Sequence, residues 1–288
     1  MHPSLLPPLP TDDPDGFAAL LAKVSRERGF GCASYKERCL RRRIAVRMRA
    51  TGTHTFADYA RCLDADAREY ERLLDALTIN VTKLFRNAEA WEALAERAVP
   101  ELWTRVTGPL RVWSAGCASG EEAYSLAAVL HRHAERTGEL DRLSRVMVLA
   151  TDIDAASLEL ARGGHFAESA FADTPPALRE RYFEPVDEPA PRPGAARLAA
   201  VPDLRRLVHP MRHDLLGEAP PPGPWHLIAC RNVVIYFERE AQEALFERLH
   251  DALAPGGVLF LGKVETLLGP VRQRFVAVEQ RERVFRRA

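Results

Sequence analysis

Three pairs of charged or polar residues follow short apolar runs in this chain. Glu121 and Glu122 come after RVWSAGCASG, Asp152 and Asp154 end MVLATDID, and Arg231 and Asn232 end WHLIACRN. The turn Ala115 to Gly120 is built of small residues and leads into a helix-forming stretch. Such turns usually hold a phosphate, because free backbone N–H groups and the helix dipole favour an anion. Here no GKS or GKT follows, GxGxxG is absent, and the tandem glutamates would repel a pyrophosphate. Carboxylates suit ribose hydroxyls or a ligand carrying positive charge. An acidic residue at the tip of a second strand is where α/β nucleotide folds hold a ribose.

These residues need a scaffold that brings strand ends together. From Arg111 the sequence alternates: strand RVWSAG, helix EEAYSLAAVLHRHAERTG, strand RVMVLATD, helix AASLELARGG, then strand WHLIACRN, helix EAQEALFERLHDALAPGG and strand VLFLGKVE. Repeated β-then-α units predict a mostly parallel sheet covered by helices, with ligands beyond the carboxyl ends of its strands. RFVAVEQRERVFRRA alternates in period two and predicts a closing antiparallel hairpin. Upstream, FAALLAKVSRERG, YKERCLRRRIAVRMRATG and TFADYARCLDADAREYERLLDALTI have helical period, with Thr55 as an N-cap. The expected organisation is a Pro-rich disordered lead (1–15), an all-helical domain (16–88), a linker helix (89–108) and an α/β domain (109–288). Many prolines fall between His165 and Pro224, where ARLAAV and RRLVHPMR read as short strands. A small inserted β-subdomain at about 166–208 is expected there, since long structureless loops are uncommon.

Composition excludes more than it selects. At 288 residues, 47% hydrophobic and 28% charged, the chain is an ordinary globular sequence. Lys+Arg and Asp+Glu both number 40, so any charge signal is local. No apolar run approaches a membrane span, and the acidic start is unlike a secretory signal, so a cytoplasmic location is expected. Five cysteines without a CxxC pair argue against a disulfide framework and structural zinc; no metal is expected. His131 and His133 read as surface residues. Between Tyr35 and Arg49 stand seven Lys/Arg and one Glu, on a helix whose apolar stripe is Leu40, Ile44 and Met48. Such a run is a solvated face, a nucleic-acid site or a dock for acidic helices.

Small-residue turn, acidic tip, polar tip and LAPGGVLFLG follow in the order of S-adenosylmethionine-dependent methyltransferases. More narrowly, NVTKLFRN, WSAGCASGEEAYSLA, TDID, CRNVVIYF and LAPGGVLFLG closely resemble the CheR-type chemotaxis receptor methyltransferases, and YKERCLRRRIAVRM resembles that family's basic N-terminal helix. The resemblance implies a Rossmann-like α/β methyltransferase domain with an inserted β-subdomain and an N-terminal all-helical domain. It implies S-adenosyl-L-methionine as cofactor, with S-adenosyl-L-homocysteine as product, held by Asn80, Thr82, Arg86, Ala115, Gly116, Glu122, Asp152, Asp214, Leu215, Cys230 and Arg231. Arg86 and Tyr236 are the implied reactive residues. Arg38, Arg41, Arg42, Arg43 and Arg47 are the implied docking residues for the cytoplasmic helical region of chemoreceptors, whose glutamates would become γ-glutamyl methyl esters. Nucleic-acid binding and membrane insertion are not expected, and the chain is expected to be a monomer. The alternatives are a non-catalytic cofactor-binding signalling module and a methyltransferase for another substrate. The sequence departs from the family at Asp214 (usually asparagine), LFRN (usually FFRE), Ala123 (usually proline) and GKVE (usually GHSE).

Overall fold

A computed structural model of the chain describes residues 13–78, 82–186 and 197–288. Most of the expected lead, to residue 12, lies outside the described residues. Two compact units divide the chain. The first takes the residues up to 79 together with Tyr236–Glu238. Its helices are α1 (Pro14–Arg28), α2 (Glu37–Thr51), α3 (Phe56–Ala65) and α4 (Ala67–Leu77). α1 and α2 end on left-handed Gly29 and Gly52, which adopt that conformation without the cost a Cβ would carry. The third helical stretch of the sequence is two helices rather than one. Asp66 closes α3 and caps α4, its carboxylate accepting from the Arg68 N–H at 2.9 Å. Leu40, Ile44 and Met48 are buried as the stripe requires. Lys36 N–H donates to the Tyr236 carbonyl, and Glu238 N–H to the Ser34 carbonyl, both at 2.8 Å.

The second unit opens with α5 (Ala88–Ala93) and α6 (Val99–Arg105), joined by the wider helical turn Leu94–Ala98. There follow β1 (Leu110–Ala115), α7 (Glu121–Thr137), β2 (Val146–Asp152), α8 (Ala155–Gly163), β3 (His165–Ala167), α9 (Pro176–Tyr182), β4 (Phe183–Pro185) and β5 (Arg197–Ala200). The chain continues with α10 (Pro202–Arg205), β6 (Val208–Arg212), β7 (Trp225–Cys230), α11 (Arg239–Ala252), β8 (Leu253–Leu261), β9 (Phe275–Glu279) and β10 (Val284–Arg287). The main sheet has seven strands in the order β6-β2-β1-β7-β8-β10-β9. All neighbours run parallel as far as β8; β10 is antiparallel to both β8 and β9, the expected hairpin. Strand order reverses between β1 and β7, and a crevice at such a switch point is where α/β sheets take ligands.

The inserted subdomain is the antiparallel sheet β3-β5-β4. ARLAAV supplies β5 as expected, but RRLVHPMR does not join it. That segment forms β6 and pairs in parallel with β2 from Val148–Val208 to Asp152–Arg212, becoming the edge of the main sheet. His131 is not a surface residue either. It is buried on α7, its ring 5.4 Å from Tyr182 and edge-on to it, because α9 of the subdomain covers that face. Among the described residues no helix is long and apolar enough to cross a membrane.

Candidate functional site

The turn 115–120 is held from behind by β2. The Gly116 and Cys117 N–H groups both donate to the Thr151 carbonyl, at 2.8 and 2.9 Å. Gly116 is left-handed (φ 84°), and a Cβ there would lie 2.6 Å from Cγ2 of Val233, so the turn needs glycine on both counts. Ala118 is also left-handed (φ 48°), and its N–H donates to Oδ2 of Asp152 at 2.8 Å. Oδ1 of Asp152 accepts from the Asp154 N–H at 3.0 Å. Burial pushes the Asp152 carboxyl above its ordinary pKa, while the amide bonds act the other way. The tip of β2 is therefore a carboxylate already oriented by two amides, with lone pairs left for a ligand. Asp154 caps α8 by accepting from the Ala156 N–H at 2.9 Å.

At the start of α7, Oε1 of Glu122 accepts from the Ser114 hydroxyl at 2.8 Å. Burial drives the Glu122 pKa up to about 7, opposed by the charge of Arg231 and the Ser114 bond, reinforced by Glu265 and opposed again by Arg86. Glu121, paired with the Ser119 hydroxyl, is raised by burial as well. Cys230, at the end of β7, is fully buried, so only its backbone is available there. Arg231 follows it, 6% exposed, with its guanidinium 5.0 Å from the Trp91 ring and 4.5 Å from that of Phe260. Its Nη2 donates to the Arg86 carbonyl at 2.8 Å, and its Nε has no hydrogen-bond partner among the described residues.

The stretch 82–87 is tied to the same end of the sheet. Phe85 N–H donates to the Ser125 hydroxyl oxygen at 2.9 Å, and that hydroxyl donates to the Glu121 carbonyl at 2.7 Å. Lys83 pairs with Asp173 at 3.0 Å. Thr82 and Arg86 are half-buried; Asn80 lies outside the described residues. Asp214 joins through its neighbour, since His213 N–H donates to the Asp152 carbonyl at 3.0 Å. The Asp214 Oδ1 accepts from the Leu216 N–H at 2.9 Å, a bond that asparagine and aspartate make equally well, and Leu215 beside it is buried. Phe85 and Asn87 in the 82–87 segment, Ala118 in the turn and Asn232 after β7 all have positive φ, so strained backbone gathers in the segments around the site.

Sequence reasoning missed Glu265. This buried carboxylate accepts four backbone N–H bonds: Asn232 at 2.9 Å and Gly262 at 2.7 Å on Oε2, Val233 and Val234 at 2.9 Å each on Oε1. Its only signal was the glutamate that GKVE retains. Tyr236 belongs to the helical unit by packing and is half-buried. On α2, Arg38 and Arg42 are exposed. Arg41 pairs with Glu37 at 2.6 Å and lies over the Phe17 ring, and Arg43 is half-buried. Arg47 is engaged inside the unit: its Nε and Nη2 meet Glu69 at 3.0 and 2.6 Å, and Glu69, 1% exposed, also accepts from the Tyr59 hydroxyl.

Buried carboxylates beside a turn without lysine, at the switch point of this sheet, suit a cationic nucleoside rather than a nucleotide. Residues 80–284 match the family model described as CheR methyltransferase, SAM binding domain, and residues 15–78 match the CheR methyltransferase, all-alpha domain. The chain belongs to the CheR methyltransferase family. It is an S-adenosylmethionine-dependent methyltransferase of that chemotaxis family. CheR relatives include the chemotaxis protein methyltransferase of Listeria monocytogenes, 34% identical over 86% of this chain and 88% of the relative. That of Salmonella typhimurium is 34% identical over 89% and 85%. An uncharacterized 104.1 kDa protein of Rhodobacter capsulatus is 36% identical over 87% of this chain, which spans only 25% of that protein. The CheR motif serine of GEExYS is Ser125, and its role is now visible: it fastens 82–87 to the first turn of α7.

Proposed function

We propose that this CheR-family chain methylates glutamate side chains in the helical cytoplasmic region of chemoreceptors, forming γ-glutamyl methyl esters. The observation that carries the reading is the meeting of Glu122, Asp152 and Arg231 at the strand ends, beside a turn (115–120) that holds no lysine. The donor set fits S-adenosylmethionine: carboxylates for a ribose and for positive charge, and an unpaired Nε on buried Arg231. Asp152 would take the ribose hydroxyls, Glu122 the cationic side, and the backbone at 214–215 and 230–231 the base, with Thr82, Arg86, Ala115 and Gly116 closing the site. When bound, this group supplies a methyl on a sulfonium: a carboxylate oxygen forms the new C–O bond as the C–S bond breaks, leaving the electron pair on sulfur. A glutamate with a pKa near 4.3 is already ionised at neutral pH, so no side chain of this protein needs to remove a proton. The protein's work is to orient the carboxylate and exclude water, since charge is lost as the two reactants combine.

Arg86 orients the incoming carboxylate by a charge-assisted hydrogen bond, and Tyr236 contributes its hydroxyl to the reacting groups. Exposed Arg38 and Arg42 lead the docking on acidic receptor helices, while Arg47 serves the helical unit itself. The test is to incubate the protein with methyl-labelled cofactor and membranes of its own host. Base-labile label on a large membrane protein is the expected result. Cofactor binding without label on any host protein would leave a signalling module, and label stable to base would mean another acceptor.

A further inference from the structure

Among the described residues, Glu265 is a buried acid beside the site that the proposed reaction does not use. Four backbone N–H groups converge on it from two segments, Asn232 to Val234 after β7 and Gly262 after β8. A carboxylate accepting this many amides fixes the backbone that donates them. The fixed segment is short and strained: Asn232 is left-handed (φ 62°), and Arg231 immediately precedes it. Val233 is held with its side chain against Gly116 of the turn. The Glu265 carboxylate thus ties three pieces of the crevice together: the Arg231 exit, the turn 115–120 and the end of β8. It also acts by charge on Glu122 and Arg231.

We infer that Glu265 is a positioning residue for cofactor binding, setting the 231–234 turn against the 115–120 turn and placing its negative charge behind Glu122. This rests on the cofactor reading given above. The charged groups facing Glu122 are Arg231 at the exit of β7, Glu265 after β8 and Arg86 before α5, with Ser114 of β1 bonded to it. Glu121 and Asp152 share the same acidic mouth, and the buried thiols of Cys117 and Cys230 lie in the field of Glu122.

The probe is S-adenosylmethionine, and the readout is its equilibrium affinity by calorimetry from pH 5.5 to 8.5, with hydrogen exchange at the amides of residues 232–234 and 262. Glu265→Gln keeps the shape but leaves one oxygen to accept, so two of the four amides face an NH2 group. Affinity should fall about tenfold, the effect of lost hydrogen bonds to a charged group, and exchange at those amides should rise. Removing a negative charge near Glu122 keeps Glu122 ionised to lower pH, so the acid midpoint of cofactor affinity should move down. Glu265→Asp, which restores the charge, should return that midpoint toward wild type. A uniform loss of affinity with an unmoved midpoint would reduce Glu265 to scaffold and overturn the inference, as would unchanged affinity and exchange. Should Glu265→Gln fail to fold, Val233→Ala decides the matter. It keeps the backbone amides that bond Glu265 and trims the side chain that meets Gly116; weaker binding supports the inference and wild-type binding overturns it. Wild-type protein that binds no cofactor at any pH would instead remove the underlying reading.

Discussion

The buried guanidinium of Arg231 donates from Nη2 to the backbone carbonyl of Arg86 at 2.8 Å, not to its side chain. One arginine of the site therefore anchors the segment on which the other is carried. Trp91 Nε1 donates to the same carbonyl at 3.1 Å, while its ring lies beside the Arg231 guanidinium. The two arginines can be separated by substitution, because the anchor does not depend on what stands at position 86.

Arg231→Lys should weaken S-adenosylmethionine binding and lower the melting temperature. Lysine keeps the charge but lacks the planar fork that lies between Trp91 and Phe260 while bonding the carbonyl. The expected loss is about 1–3 kcal/mol in cofactor affinity, the cost of a hydrogen bond to a charged group. Calorimetry at wild-type affinity would mean that the anchor is dispensable.

Arg86→Ala, by contrast, preserves the backbone acceptor. Turnover should fall roughly 10²-fold through lost positioning of the carboxylate, with a smaller effect on cofactor affinity. Tyr236→Phe should lower turnover while cofactor affinity survives. Methyl transfer near wild type in both variants would place the reacting centre elsewhere.

The Glu122 pKa near 7 lies above the ordinary 4.5. The folded protein then holds a proton that the unfolded chain releases, so this group stabilises the fold below about pH 4.5. Between 4.5 and 7 that contribution is lost as pH rises, by roughly 3 kcal/mol at most. Glutamine does not titrate, so Glu122→Gln should stabilise the ligand-free protein relative to wild type at pH 8. Cofactor affinity should move oppositely, falling in wild type as pH drops below 7 and staying low and flat in the variant. Urea unfolding and calorimetry at pH 5.5 and 8 separate the two; parallel pH profiles would show that Glu122 is not the titrating group.

Asp152→Ala removes the acceptor that meets the Ala118 and Asp154 amides and, with it, the proposed ribose contact. Cofactor affinity should drop by about 1–3 kcal/mol. Unchanged binding would put the ribose away from the β2 tip.

On α2 the arginines should divide into two kinds. Arg47→Ala leaves the buried Glu69 carboxylate with only the Tyr59 hydroxyl and a longer pairing to Arg72, and should cost about 3 kcal/mol of stability in the helical unit. Arg38→Glu with Arg42→Glu should leave the melting temperature within a degree or two. It should raise the apparent KM for receptor, in an assay whose activity falls with salt as exposed charges are screened beyond ~10 Å at 0.1 M. A receptor KM untouched by the double reversal would remove docking from this helix.

The sequence by itself determined the alternation of strand and helix from Arg111, the hairpin at the end, the cap Thr55, and the acids at the strand tips. These are local facts, written in periodicity and in residue types at element boundaries. Only the tertiary structure decided that Val208–Arg212 extends the main sheet beside β2 instead of the inserted one. A short strand has the same pattern whichever edge it joins, and the partner is chosen by packing far along the chain. Arg47 belongs to a basic run that reads as solvated until Glu69 arrives from another helix, and His131 reads as polar surface until Tyr182 covers it. Glu265 was the hardest to foresee. Its partners are four backbone N–H groups, which every residue but proline carries, so no side chain in the sequence announces them.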